Sequence, residues 1–398
     1  MKKIKTLLQA AIFLTTLTIP ALLTAVLPDR QISQTERRPL AEFPSWTIKS
    51  FLDKSYMTDL ETALLDHFPA RDAFRTVKAE AETNLLGKQD ANGYYRTSEG
   101  IFQIQNNYSG KHIRHAAQAF EAIAQEYFPE SDCYYAVIPD KSFYRKENTY
   151  PSLDQEDIQS ILKENMPSIT PICLEDQLSI EDYYRTDLHW RQECLPDVAD
   201  FLLASMGITG NGTGNGKQLE LKDATDNFYG AYAAASAFLT EPDTIRYYED
   251  SMIASMQVYD YEKKEYVSVY APERLGETDD YDFFLWGARA LLTIENAQSE
   301  TDRKLLIFRD SFAGSLAPLL AESYKTTTLV DLRYVSVSHA MELLSDTSYE
   351  DVLFLYSADS LNNSDSLRIY FPTEKQSEGK RKQKIEKNKG NKRIVQNK

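Results

Sequence analysis

The longest apolar run lies at the start of the chain. Lys2, Lys3 and Lys5 precede it, it covers residues 7–27 with Gln9 as its one strongly polar position, and charge returns at Asp29 and Arg30. About 20 apolar residues at 1.5 Å each make a helix long enough to cross a hydrocarbon core of about 30 Å. Basic residues ahead of such a run stay on the cytoplasmic side. The pattern predicts a cytoplasmic N-terminus over 1–6, a single-pass signal anchor over 7–27, and the bulk of the chain outside the cytoplasm. A cleaved signal peptide is the competing reading. No small-x-small site stands out around residues 23–25, which favours the uncleaved anchor.

The periodicity then changes several times. Residues 28–50 read as a polar linker. Residues 51–88 carry Leu60, Leu64, Leu65 and Phe68 at helical spacing, interrupted where Pro69 breaks the helix. Helices are predicted over 112–128, 155–166 and 197–206. Residues 133–138 are a short apolar run ending at Pro139, which reads as a buried strand, with a second at 171–174. Residues 183–190 read as an extended segment or loop. The Gly- and Asn-rich stretch 210–216 predicts a flexible loop; it has no Gly-Lys-Ser/Thr ending and is no phosphate loop. Residues 251–295 read as β-rich, part of an expected β-rich insertion over 216–299. In the last third, strands at 304–308, 327–331 and 351–356 alternate with helices at 314–324 and 337–344. Continuous apolar strands separated by helices predict an α/β domain over 51–372, its parallel sheet covered on both faces.

Composition narrows the partners. The chain has 398 residues, 42% hydrophobic and 26% charged, enough for a full core. The formal charge of −16 argues against nucleic acid, whose binders neutralise phosphates with Lys and Arg. Residues 375–398 hold ten basic against two acidic residues, a net of +8 that leaves −24 on residues 1–374, and the chain ends in a basic tail over 373–398. That tail has no apolar periodicity and reads as disordered. Three cysteines, Cys133, Cys173 and Cys194, form neither a disulfide framework nor a metal-spaced cluster. No metal or other cofactor is expected.

Candidate chemistry begins at Ser311, which follows a predicted strand and opens a helix. Sites in open α/β sheets lie at the carboxyl ends of strands, and a helix N-terminus favours developing negative charge. The plain alternative is that Asp310 or Ser311 merely caps the helix. A serine nucleophile needs a base, and the base needs an orienting partner. Of five histidines, His189 stands out because Asp187 lies two residues before it, on the same side of an extended segment. Trp190 beside it is a sugar platform or a core aromatic.

These residues carry a resemblance. Tyr184-Arg-Thr-Asp-Leu-His-Trp190 resembles the signature of the DHHW family, which belongs with the SGNH-hydrolase-like proteins. The serine block from Lys304 to Ser315, Phe68-Pro-Ala-Arg-Asp72, Ile138-Pro-Asp-Lys141, Phe228-Tyr-Gly-Ala-Tyr232 and Tyr281-Asp-Phe-Phe-Leu285 fit the same pattern in order. The resemblance covers nearly everything up to about residue 372. It implies a three-layer SGNH-like α/β fold and an extracytoplasmic enzyme similar to the O-acetylation proteins of alginate and related polysaccharides. Ser311 would be the nucleophile, His189 the base and Asp187 the orienter. The partners implied are a cell-surface polysaccharide and a membrane-bound O-acyltransferase that supplies acetyl groups. Two positions depart from the pattern. Leu188 replaces a family histidine, and Ala288, in Trp286-Gly287-Ala288, replaces an asparagine. If that asparagine serves the oxyanion, Asn362 or Asn363 are the substitutes on offer; Gly287, Trp190, Tyr232 and Lys141 complete the candidates for oxyanion or substrate contact. Loss of one such donor costs about 10²–10³ in rate. The alternative expectation is therefore a catalytically inactive glycan-binding or scaffold protein of the cell envelope.

Overall fold

A computed structural model of the chain describes residues 2–28, 30–33, 35–146, 149–208 and 220–369. The Gly-rich stretch and the basic tail lie outside the described residues.

Strands of the central sheet are β1 Asp132–Ile138, β2 Thr170–Cys173, β3 Gln257–Asp260, β4 Glu265–Val267, β5 Leu291–Glu295, β6 Lys304–Arg309, β7 Thr326–Val330 and β8 Asp351–Ser357. Their spatial order is β4-β3-β5-β7-β6-β8-β1-β2. The five strands from β7 to β2 run parallel, with Phe308 beside Phe354 and Phe354 beside Tyr135. β5, β3 and β4 extend the sheet with antiparallel pairings.

Continuous apolar strands arise because the pleat sends alternate residues to two covered faces. Leu305, Ile307, Leu353, Leu355, Ala136 and Ile138 enter one core, shared with α7 (Pro196–Ser205) and α10 (Ala313–Ala321). Leu306, Phe308, Val352, Phe354, Tyr135 and Val137 enter the other, shared with α5 (Gly110–Tyr127), α6 (Gln155–Asn165) and α11 (Val337–Leu343). The result is a three-layer α/β fold. α1 (Lys2–Val26) is apolar, unburied, and long enough to cross a membrane. Before the sheet come α2 (Ile48–Leu52), α3 (Ser55–Asp66) and α4 (Arg71–Glu80), the last two separated at His67–Ala70 around Pro69. The remaining helices are α8 (Ala231–Ser236), α9 (Ser251–Ser255) and α12 (Ala358–Asn362).

Two segments differ from the sequence reading. Residues 216–299 are not one unit: Glu220–Phe228 pairs with Asp243–Glu249 as a separate hairpin, whereas β3, β4 and β5 join the central sheet. Backbone pairing across distant segments leaves no local signal for that division. Residues 28–50 carry the paired segments Ile32–Ser33 and Arg38–Pro39, and their side chains reach the body of the protein.

The polypeptide changes side of β6 between β7 and β8, which puts a crevice at the carboxyl end of β6. Phe354 stacks on Phe308 at 4.9 Å and on Phe120 at 4.9 Å beneath it. Phe354→Ala should cost about 3–5 kcal/mol in urea unfolding. The exposed Leu239→Ala should stay within about 0.5 kcal/mol.

Candidate active site

β6 delivers Asp310 and Ser311 to the start of α10. Buried Asp310 ties the turn before α10 to α12: its Oδ1 accepts from the Phe312 amide at 3.1 Å, and its Oδ2 from the Ser357 amide at 2.8 Å and Ser360 Oγ at 2.7 Å. Neither Asp310 nor Ser311 caps α10 through its side chain. The Ser311 hydroxyl lies 2.7 Å from His189 Nε2. His189 Nδ1 lies 2.5 Å from Asp187 Oδ1. One tautomer, with hydrogen on Nδ1, serves both contacts, and Ser311 then donates to Nε2.

Asp187 and His189 meet through a tight turn rather than an extended pleat. The His189 amide donates to Asp187 Oδ1 at 2.9 Å, and the Tyr184 amide donates to the His189 carbonyl at 3.0 Å. Lys141, at the end of β1, holds this turn by donating to the carbonyls of Tyr184 at 2.9 Å and Asp187 at 2.7 Å. Thr186 donates to Asp243 Oδ2 through both its amide and its hydroxyl.

Asp187 is fully buried and takes further donors on Oδ2: the Ala231 amide at 2.6 Å and Arg37 Nη1 at 2.8 Å. Gly230 makes this approach possible, because a Cβ there would lie 2.3 Å from that of Asp187. Burial works to raise the Asp187 pKa, but His189, Arg37 and the Ala231 amide outweigh it and hold the carboxyl well below the usual range. Arg37 also pairs with Asp279 and adopts φ 54°, a left-handed conformation unfavourable for a side chain with Cβ. Tyr281 stacks on the His189 ring at 3.9 Å and 11°, its hydroxyl 2.9 Å from Ser315 Oγ. Burial pushes the Tyr281 phenol well up, so it stays protonated. Asp359, in the first turn of α12, is pushed up to about 6 by burial, with Asp140 and Asp310 adding to the effect.

The other sequence candidates have different places. Trp190 is buried and donates to the Phe312 carbonyl and Ser315 Oγ, both at 3.0 Å; it is a core residue, not a sugar platform. Tyr232 is buried with its ring centroid 4.9 Å from Lys141 Nζ. Asn362 is buried and spends its amide on Ser109 and Asn107. Asn363 donates to Asp359. Both asparagines already serve α12 and its neighbours. Gly287 ends three consecutive left-handed residues, Leu285, Trp286 and Gly287, and a Cβ there would clash with Asp282. Arg309, fully buried, reaches the carbonyls of Gly287 and Arg289 at 3.4 and 3.3 Å and braces this loop. The loop packs near Gly314, at the start of α10. Among the described residues the Ser311 amide makes no hydrogen bond. No group of three or more His, Cys, Asp or Glu is arranged to hold a metal ion among the described residues.

Sequence reasoning missed Arg37, Tyr281 and the Ala231 amide as neighbours of the pair. Tyr281 and the Tyr-Gly-Ala-Tyr stretch lay inside noted motifs without an assigned part. Arg37, 150 residues from Asp187, left no local signal.

No family model matches the chain, and no curated protein matches it. Solved structures do. A DHHW family protein from Eubacterium siraeum aligns over 70% of this chain and 95% of its own, at 19% identity and a TM-score of 0.60. The two share a fold. Bacillus cereus PatB1 aligns over 67% of this chain and 96% of its own, at 18% identity and a TM-score of 0.56; it has also been solved with a sulfonyl adduct. The O-acetyltransferase domain of Pseudomonas putida AlgJ overlaps more loosely, at 9% identity and a TM-score of 0.43.

Lys141 supplies a test of this scaffold. Burial pushes its ammonium down to about 8 from 10.5, against the pull of Asp187 and Asp140. Between those values the unfolded chain holds more protons than the folded one, so stability rises with pH. Lys141→Met removes that titration. The difference in unfolding free energy should move in favour of the wild type as pH rises from 8, by at most about 1.4 kcal/mol per pH unit. A difference flat with pH would contradict the lowering of the Lys141 ammonium by burial.

Proposed function

We propose that the chain is a serine acyl-transfer enzyme of the cell envelope. Anchored by α1 on the outer side of the cytoplasmic membrane, it moves acetyl groups onto, or off, hydroxyls of a cell-surface polysaccharide. The observation that carries the reaction class is the hydrogen-bonded line from Asp187 Oδ1 through His189 to Ser311 Oγ. The polysaccharide rests on the resemblance of the sequence motifs to extracytoplasmic O-acetylation proteins, with which the DHHW-like fold agrees.

In this reading Ser311 Oγ attacks the carbonyl carbon of an acetyl ester while His189 Nε2 takes its proton. Charge developing on the carbonyl oxygen meets the Ser311 amide and the N-terminus of α10. Collapse expels the donor alkoxide, which takes the proton from His189. A glycan hydroxyl, or water, then attacks the acetyl-serine with His189 again as base. Asp187 stays ionised throughout, keeps the ring in its tautomer and stabilises the imidazolium. A membrane-bound O-acyltransferase is the partner that would supply the acetyl group. The rival reading, an inactive glycan-binding or scaffold protein, draws on Ala288. Against it stands the buried carboxylate with four donors, an arrangement that glycan binding does not require.

The test is hydrolysis of a chromogenic acetyl ester by the full chain, repeated with oligosaccharide acceptors. Ser311→Ala and His189→Ala should each abolish turnover, and Asp187→Asn should lower it by about 10⁴. Arg37→Ala should lower kcat with little change in KM. Turnover insensitive to both Ser311→Ala and His189→Ala would overturn the mechanism.

A further inference from the structure

The segment after the anchor, α2–α4 and the stretch just before α2, carries apolar side chains that the body leaves uncovered. Trp46 is 61% exposed, Phe51 53%, Leu65 60%, Phe74 61%, Val77 65% and Leu85 81%. α4 runs on into a π-helical turn, Ala81–Leu85, so Phe74, Val77 and Leu85 share one stripe of a continuous helix. Monomeric soluble proteins rarely expose so many large apolar side chains together.

The chain itself says what lies beside this surface. α1 ends at Val26, and Arg30 is within salt-bridge reach of Asp72 in the first turn of α4, at 3.4 Å. Arg30 is three chain steps from Leu27, and extended chain spans about 3.5 Å per step. The exit point of the anchor is therefore about 10 Å from the Arg30 backbone at most. A second tie follows, where Arg38 Nη2 meets Asp66 Oδ1 in α3 at 2.6 Å. α1 is unburied and does not cover the stripe. Residues 42–88 hold six Lys or Arg against eight Asp or Glu, so attraction to anionic lipid is not the driving force. Trp and Phe beside a membrane exit favour the headgroup boundary, and apolar helix faces sink about 5–10 Å into it.

We propose that the apolar face of α2–α4 lies in the lipid headgroup region of the membrane that α1 crosses. The proposal rests on the anchor reading above. It makes the helical segment a second membrane contact and fixes the orientation of the sheet and its crevice relative to the bilayer. Trp46 is the natural probe. Trp190 is buried, and Trp286 Nε1 is bonded to the Ser268 carbonyl.

The experiment uses the full chain in phosphatidylcholine vesicles, with and without lipids brominated near the glycerol. The expected result is flotation with the vesicles and bromine quenching of emission. The quenched component should vanish in Trp46→Phe and weaken in Phe74→Asp/Val77→Asp, which alters only exposed positions. Flotation without quenching of Trp46 overturns the proposal and leaves the anchor standing. Trp46 unquenched by bromine yet shielded from aqueous iodide points to a protein occupant, a partner or a second copy, and also overturns it. Failure to float removes the anchor reading, and this proposal with it.

Discussion

One buried charge organises the site. Asp187 is excluded from water, and an ionised carboxylate in that state is costly unless its oxygens are fully engaged. Its four donors come from three distant parts of the chain: Arg37, the Ala231 amide, and the amide and ring of His189. Each segment is held in place by something else. Gly230 permits the close approach, Lys141 fixes the turn from beneath, and the Arg37 segment is tied to α3 and α4 through Glu36, Arg38, Arg71 and Arg75. Removing one partner would leave the charge unpaired, which is why residues far from Ser311 bear on it.

The sheet supplies the other half. β6 ends in an aspartate followed by a serine, and the two have different partners. Asp310 ties the turn before α10 to α12, while the Ser311 hydroxyl meets the imidazole. Tyr281 and Phe312 flank the ring and restrict its rotation. Rigid placement of this kind is what makes an activated serine chemically useful.

Much of this was legible in the sequence because its signals are local. The apolar strands at β1, β6, β7 and β8 and the helices between them followed from periodicity, and Asp187 and His189 stood two residues apart. The sequence reading had their geometry as extended, whereas a turn closed by the Asp187 side chain brings them together. What escaped notice depends on pairing across long separations. β3, β4 and β5 lie antiparallel against the sheet, and Arg37 crosses from a segment that reads as linker. Asn362 looked like a candidate for the oxyanion because an exposed turn asparagine and a buried structural one have the same sequence signature.

α1, the Arg37 segment and the apolar helices α2–α4 follow one another in the chain, so the N-terminal part and the site are physically continuous. The central claim remains the activated serine. Its most direct measurement is fluorophosphonate labelling of the full chain, followed by peptide mass spectrometry. The account predicts a single adduct on Ser311, absent in Ser311→Ala and suppressed in His189→Ala. A folded protein that takes no label, or takes it on another residue, would contradict it.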